Sequence, residues 1–300
     1  MTRLDVTIAV VSYNTKDMLA DCLRSLLSSP PLVTYELRVI DNGSTDGTAA
    51  MLASDFPDVG LLSNAGNVGF AGAANQAWRQ SLAKYLLVVN ADTVFQENCV
   101  EALVEFADHH PEAAAVGPLV LNPDGSVQAS ARRFPSFLEG TMHALLGVIA
   151  PENRFSRRYK MADWDRQSER EVDWLSGAAV LLRREIGEKI GFFDDAYFMY
   201  VEDMDLCYRL RDAGYKVYFC PEARITHHIG QSSQQQSNRM IIAHERSMMR
   251  FYRKRYHKGF KAVIWPIVMI GLVLHSVMRL TQNGVGAARR RLQTTPGKDN

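Results

Sequence analysis

The sequence predicts an α/β fold, a doubly wound and mostly parallel sheet, on three observations. Runs of strand character (Val6–Val11, Glu36–Asp41, Val59–Leu62 and Leu86–Asn90) alternate with segments whose apolar residues recur at helical spacing. The connections are short, which suits strand-helix-strand units laid side by side. The first and last of these runs are apolar almost throughout, the pattern of strands covered by helices on both faces. A chain of 300 residues that is 47% hydrophobic can bury one sizeable core of this kind.

Taken in order, Val6–Val11 is the first strand, and a helix follows over about Asp17–Leu27, with Met18, Leu19, Cys22, Leu23, Leu26 and Leu27 on one face. Glu36–Asp41 is the second strand, Thr45–Ala53 a helix, Val59–Leu62 a short third strand and Ala71–Ala83 a helix. Leu86–Asn90 then runs straight into Asp92. Cys99–His109 has the pattern of an amphipathic helix and Ala113–Leu121 that of a strand. Asn122-Pro123-Asp124-Gly125 is a turn that reverses the chain into Ser126–Ala131. The stretch from Arg132 to Arg170 has poor periodicity, and its readings are an excursion over the site, touching an anionic lipid-linked acceptor, or a solvated insertion. Trp174–Arg183 returns to core-like sequence, with Gly177-Ala178-Ala179 small enough for a substrate to lie against the backbone. Leu206, Leu210 and Ala213 place Glu202, Asp203 and Asp205 in the first turn of a helix ending near Gly214, where the helix dipole favours acids whatever their role. Lys216–Cys220 and Arg224–Thr226 are strands, and Ile241–Tyr256 is a helix.

Composition narrows the function. A net charge of +1 argues against a general nucleic-acid binder. The four cysteines are widely spaced, without a paired CxxC, so neither a zinc site nor a disulfide framework is expected and a reducing cytosolic setting is the default. Met1–Val11 lacks the features of a signal peptide.

The chemistry is sought at the carboxyl ends of the strands, where open α/β sheets bind ligands. The first turn, Ser12-Tyr13-Asn14, has no glycine, which counts against an NAD-dependent dehydrogenase and against a sugar nucleotidyltransferase. Asp41 ends the second strand beside Asn42, Ser44 and Thr45, a setting suited to hydrogen bonding a base or ribose. Asn64–Asn75 is a glycine-rich loop opening a helix, a phosphate-attracting arrangement. Asp92 sits where a metal or phosphate would bind, or simply turns the chain into its next element.

In this order VVSYN (Val10–Asn14), VIDNGSTDGT (Val39–Thr48), NAGNVGFAGAANQ (Asn64–Gln76), VNADT (Val89–Thr93), WLSGAAVLLRRE (Trp174–Glu185), FFDDAYFMYVEDMDLCYRL (Phe192–Leu210) and HHIGQS (His227–Ser232) resemble the inverting glycosyltransferases of family 2. The likeness is strongest to the rhamnosyltransferase-like branch and covers roughly Val6–Arg250. It implies a GT-A (Rossmann-like) fold, a nucleotide-sugar donor and a divalent metal, Mg²⁺ or Mn²⁺. By the resemblance Ser12 and Asp41 contact the nucleoside, Asn67 and Gly69 approach the donor, and Asp92 is the metal-side carboxylate of a DxD-like element. Asn90 stands where many relatives carry the first aspartate, so donor pyrophosphate oxygens must supply more of the coordination. Trp174 and Gly177 fall on the acceptor side. Asp203, the second acid of the Glu-Asp pair, is the base that an inverting transfer needs, and Glu202 orients it or the acceptor. Asp205 is read as structural. His227, spaced as in the family's HxxGxS element from Gly230 and Ser232, contacts metal or pyrophosphate, with His228 the other candidate.

Residues 1–240 are accordingly read as the catalytic domain, with halves at 1–121 and 122–240, residues 241–281 as helical extension and 282–300 as a disordered tail. The extension carries Arg246, Arg250, Arg253, Lys254, Arg255, Lys258 and Lys261, followed by Ala262–Met278 without a formal charge. Its 17 residues are the lower limit for a span, and Pro266 and His275 weaken that reading. An interfacial helix on anionic lipid is expected, with a helix packed on the catalytic domain as the alternative. The function expected is transfer of a hexosyl group, L-rhamnose from dTDP-L-rhamnose, to a lipid-linked or polysaccharide acceptor in cell-surface glycan synthesis. It is placed in the cytoplasm, peripheral to the inner face of the plasma membrane. A transferase using a UDP-activated hexose or N-acetylhexosamine is the alternative, and a catalytically silent glycan-binding scaffold the alternative of another class.

Overall fold

The computed structural model describes residues 4–136, 152–228 and 237–256, with single positions and short runs between 139 and 150 and between 263 and 281. The expected alternation is present: β1 (Val6–Ser12), α1 (Lys16–Ser28), β2 (Tyr35–Asp41), α2 (Thr48–Asp55), β3 (Gly60–Ser63), α3 (Gly69–Gln80) and β4 (Tyr85–Asn90). β1 lies between β2 and β4, parallel to both, and β2 carries β3 in parallel on its far side. Alternate residues of β1 serve two cores. Val6, Ile8 and Val10 join Leu19, Leu23 and Leu26 of α1, while Ala9 joins the alanines of α3 on the opposite face. Two covered faces are what the continuous apolar run requires.

The second half adds β5 (Thr93–Phe95), α4 (Cys99–His109), β6 (Ala113–Leu121), β7 (Ala131–Arg132), α5 (Arg154–Tyr159), β8 (Arg170–Glu171), β9 (Trp174–Leu175), β10 (Ala179–Arg183), α6 (Arg184–Ile190), α7 (Glu202–Asp212), β11 (Lys216–His227) and α8 (Ser237–Tyr256). The large sheet has the order β3-β2-β1-β4-β10-β6-β11-β5, with β8 on β11. It is mostly parallel, but β10 runs antiparallel between β4 and β6. β7 and β9 form a separate two-stranded ribbon.

Two features differ from the sequence reading. The strands expected at Lys216–Cys220 and Arg224–Thr226 are one strand, irregular in register between Cys220 and Arg224, where Pro221 has no N–H for the ladder. The reversal after Gly125 yields a single bridge, Leu121 to Val127, and only Ala131–Arg132 as strand. The described part of Arg132–Arg170 is largely exposed but anchored at points: Asn153 caps α5 through Phe155 N and Ser156 N, and Trp164 meets Phe219 edge-on at 4.8 Å.

The basic helix α8 lies against the catalytic unit, its Ser247 hydroxyl donating to Met199 O at 2.9 Å. Arg250 and Lys254 pair with Asp194, Lys254 also with Asp205, and Arg255 with Asp212. Arg246 and Arg253 stay exposed. Further on, Leu272 is buried and His275 donates to or accepts from Glu245 at 2.9 Å, whereas Val263, Ile270, Val273 and Val277 are exposed. Among the described residues no helix is long and apolar enough to cross a membrane. Lys258, Lys261, Gly230, Ser232 and the tail 282–300 lie outside the described residues.

Asp205 is fully buried, accepting from Arg209 Nε at 2.8 Å, Lys254 Nζ at 3.0 Å and the Tyr197 hydroxyl at 3.4 Å. Removing the carboxylate leaves Arg209 without its counter-charge beside the core and Lys254 with Asp194 alone. Asp205→Ala is expected to lower stability by about 3 kcal/mol, measured as the shift of a urea unfolding curve.

Candidate active site

The carboxyl edge of β1, β2 and β4 opens into a pocket lined by Ser12, Tyr13, Asn14, Asn42, Asn67, Gly69, Phe70, Asn90 and Asp92, with Phe198, Met199 and Arg239 closing it. Ser12 is buried and shares a 3.0 Å hydrogen bond with the Thr15 hydroxyl. Asp41 lies behind the wall rather than in it: it is 3% exposed, and its carboxylate accepts from the Ser44 N–H and hydroxyl. That clamps the turn which presents Asn42, so Asn42 and not Asp41 faces the pocket. Asn42 in turn donates to Gly69 O at 3.1 Å, and Asn67 Oδ1 accepts from Gly69 N at 2.9 Å.

Gly69 has a reason for being glycine that the sequence reading did not supply. Its φ is +84°, and a Cβ built there would fall 2.2 Å from Phe198 O. The close neighbour is the protein's own backbone, since Phe70 N donates to the same carbonyl at 2.9 Å.

Asp92 and His227 are brought together by strand pairing. β5 begins one residue after Asp92 and runs antiparallel to the end of β11, with Thr93 opposite His227. His227 Nε2 lies 3.1 Å from Asp92 Oδ1 and His228 N donates to Asp92 O at 2.9 Å. Gln128 decides the state of the ring. Its Nε2 donates to His227 O at 2.7 Å and to Leu121 O at 3.3 Å, which turns Oε1 toward His227 Nδ1 at 3.1 Å. Nδ1 therefore donates to Gln128, which leaves Nε2 facing the Asp92 carboxylate. A contact of that length is met by a proton on Nε2 or by a cation held between the two groups. Neighbouring ligands of an octahedral ion, bound at about 2.1 Å and at right angles, stand about 3.0 Å apart, so the pair fits a divalent metal. Among the described residues no third acid, histidine or cysteine completes a cluster. The remaining ligands must come from outside the side chains. Gln128 was invisible to sequence reasoning because it follows a reversing turn and touches His227 only through the fold.

A second cavity, of about 610 Å³, shares Phe70, Asn90 and Met199 with the first pocket and is lined further by Arg132, Trp174, Ser176, Gly177, Glu202, Asp203 and His227, and by Met248, Phe251, Leu272 and His275 on its far side. Trp174, Gly177, Glu202 and Asp203 thus line one cavity. Gly177 N donates to Asp203 Oδ2 at 2.9 Å, and Met204 N to Oδ1 at 2.7 Å. Burial pushes the Asp203 carboxyl above its usual range against those two hydrogen bonds and the charge of Arg132. Burial also raises Glu202 well above its ordinary value, helped by the Asp203 charge, and its Oε2 has no hydrogen-bond partner. Just before these acids Tyr200 (φ 67°) and Val201 (φ 69°) are both left-handed. For a β-branched residue that conformation is strained, a cost met where a site needs its groups aimed. Sequence reasoning also missed Arg239, placed in the first pocket by the first turn of α8.

The chain that carries this arrangement, a pocket at the sheet edge adjoining a cavity with raised acids, is similar to known proteins. The model of "Glycosyl transferase family 2" matches residues 7–209. The chain belongs to that family. It is 33% identical over 290 residues to the N-acetylglucosaminyl-diphospho-decaprenol L-rhamnosyltransferase of Mycobacterium tuberculosis, covering 92% of this chain and 94% of the relative. Among solved structures it is similar to the mannosyltransferase PcManGT of Pyrobaculum calidifontis in complex with GDP-Man and Mn²⁺ (TM-score 0.59, 16% identity, 99% of this chain and 82% of that one). It is also similar to GalNAc-T7 with UDP, GalNAc and Mn²⁺ (TM-score 0.57, 16% identity, 76% of this chain and 44% of that one). The chain is a family 2 glycosyltransferase with the GT-A fold, as its motifs implied.

A carboxyl whose folded-state pKa is raised favours folding only while protonated, and that contribution is lost as pH rises through the folded value. At neutral pH Glu202 is therefore a stability cost. Glu202→Gln is expected to gain about 1 kcal/mol, or about 2–4 °C in melting temperature, at pH 8, and to lose the gain under acid conditions. Differential scanning calorimetry at both pH values measures it.

Proposed function

We propose that this chain transfers L-rhamnose, with inversion, from dTDP-L-rhamnose to a lipid-linked glycan acceptor, and that Asp203 is the base. The observation that carries the reading is the single cavity wall, formed by Phe70, Asn90 and Met199, that joins the donor pocket to the cavity holding Asp203. Donor and acceptor class follow the Mycobacterium tuberculosis relative, whose name specifies both the rhamnosyl group and a diphosphate-linked N-acetylglucosaminyl lipid.

In the reaction an acceptor hydroxyl oxygen attacks the anomeric carbon of the donor sugar, and its proton passes to the Asp203 carboxylate. The bond from that carbon to the diphosphate oxygen breaks, and the nucleoside diphosphate leaves with the electron pair. One displacement from the opposite face inverts the centre. The Gly177 and Met204 N–H groups fix the carboxylate, while its raised proton affinity makes it a better acceptor than an ordinary aspartate. Asp92 and His227 would hold the divalent ion, with Asn90 beside them and donor oxygens completing the shell. When bound, the ion supplies charge neutralisation for the leaving diphosphate. Arg239 adds a cation in the same pocket.

The extension 241–281 is proposed to rest on the cytoplasmic face of the membrane. Support comes from the exposed Val263, Ile270, Val273 and Val277 together with exposed Arg246 and Arg253, an apolar surface accompanied by positive charge. The paired Arg250, Lys254 and Arg255 are excluded from that role.

Two outcomes test the reading. Asp203→Asn is expected to cut transfer by about 10³-fold or more while dTDP-L-rhamnose with Mn²⁺ still raises the melting temperature; full turnover removes Asp203 as the base, and a shift only with UDP-sugars favours the alternative donor. Gln128→Leu, which frees the His227 ring, is expected to weaken Mn²⁺ binding about 10-fold, read by electron paramagnetic resonance of free Mn²⁺. Unchanged Mn²⁺ affinity would remove the metal role of the Asp92–His227 pair.

A further inference from the structure

Arg132 stands out among the groups of the acceptor cavity. Pairing of β7 with β9 sets it opposite Trp174, and its guanidinium lies over the Trp174 ring at 5.0 Å and the Tyr159 ring at 5.5 Å. Nε is committed to Ala129 O at 2.6 Å, and Nη1 reaches the Tyr159 hydroxyl at only 3.4 Å. Among the described residues Arg132 forms no ion pair, although the cavity contains carboxylates. Two of those carboxylates are otherwise engaged, while Glu202 is held toward its protonated form by burial. Asp203 is held by two backbone N–H groups, and Glu245 lies 2.9 Å from His275 and 3.5 Å from His244. A half-buried cation, stacked in place and forming no ion pair among the described residues, keeps guanidinium donors for an anion that enters the cavity. The surroundings describe that anion further. The same cavity is lined by Asp203 and Gly177, where a sugar hydroxyl must reach, and by the apolar Met248, Phe251 and Leu272.

We propose that Arg132 is the anion receptor of the acceptor cavity, binding the diphosphate between the sugar and the lipid chain of the acceptor, and thereby setting selectivity for diphosphate-linked over neutral glycosides. The inference rests on the acceptor class proposed above. The planar fork of a guanidinium suits two phosphate oxygens at once, and the rings beneath it hold its plane. The cavity holds an acid, a cation and apolar side chains together, the three kinds of group that the sugar, diphosphate and hydrocarbon of such an acceptor call for. Arg132 belongs to the stretch whose sequence left open contact with an anionic lipid-linked acceptor.

The test separates this inference from the reading it rests on. Binding of farnesyl diphosphate and of farnesol to the full chain is followed by tryptophan fluorescence, to which Trp174 beneath Arg132 contributes. Wild type is expected to bind the diphosphate at least about 10-fold more tightly than the alcohol. Arg132→Met, which keeps the apolar stem on the rings, is expected to abolish that difference, and Arg132→Lys to keep part of it. In transfer assays the ratio of kcat/KM for a prenyl-diphosphate-linked N-acetylglucosamine to that for its neutral alkyl glycoside should fall about 10-fold in Arg132→Met. A guanidinium that served only to steady the Asp203 carboxylate would lower both rates together and leave the ratio unchanged. That result, or equal binding of the two farnesyl probes by wild type, overturns the inference. Selective, Arg132-dependent binding without any transfer to the N-acetylglucosamine lipid would sink the acceptor reading while leaving the anion receptor standing. If Arg132→Met loses its donor-induced melting shift, Arg132→Lys carries the comparison.

Discussion

The antiparallel pairing of β5 with the end of β11 is the constraint on which the site depends. One ladder places Thr93 opposite His227, and with it Asp92, just past the end of the fourth strand, beside a histidine from the end of the eleventh. Had the register slipped by one residue, His227 would have turned to the other face of the sheet. Gln128, reaching across from the connection after β6, then fixes the ring that the ladder has delivered. The edge of a sheet, normally a place to be protected from further pairing, is here closed by the very strand that carries the site.

The acceptor cavity is held by a different logic, in which stability is given up locally. Glu202 is buried with an unsatisfied oxygen, Asp203 is held toward its protonated form by burial, and Tyr200 and Val201 are left-handed. Each of these disfavours the folded state at neutral pH. They are tolerated because the segment is anchored on both sides: Tyr197 is fully buried before it, and Asp205 is tied to Arg209 and Lys254 after it. Asp205, the acid the helix-dipole argument treated as structural, is the one that compensates.

Much of this was legible in the residues themselves. The apolar run of β1 announced a strand covered on both faces, and the order of the motifs announced the family and its fold. Local pattern could also find Asp92, because a carboxylate ending an apolar strand is a short-range signal. It did not reveal that the Asp41 carboxylate accepts from Ser44, since the direction of a side chain in a turn is set by hydrogen bonds that composition does not show. It could not see Gln128, whose relevance exists only once residues distant in the chain are neighbours. The ion pairs of the basic helix were hidden for the same reason. Charge in a sequence does not distinguish a guanidinium facing lipid from one facing Asp194 or Asp212.

Gly69 illustrates how such a site should be interrogated. It lines the donor pocket, yet the atom that forbids a side chain there is the Phe198 carbonyl, a few residues upstream of the Glu202–Asp203 pair. Replacing Gly69 would displace the segment leading to those acids along with the loop that faces the donor. An inactive variant at this position therefore carries no information about which substrate has been lost, and a map of the donor site drawn from such variants would include residues whose only duty is to let two stretches of backbone touch.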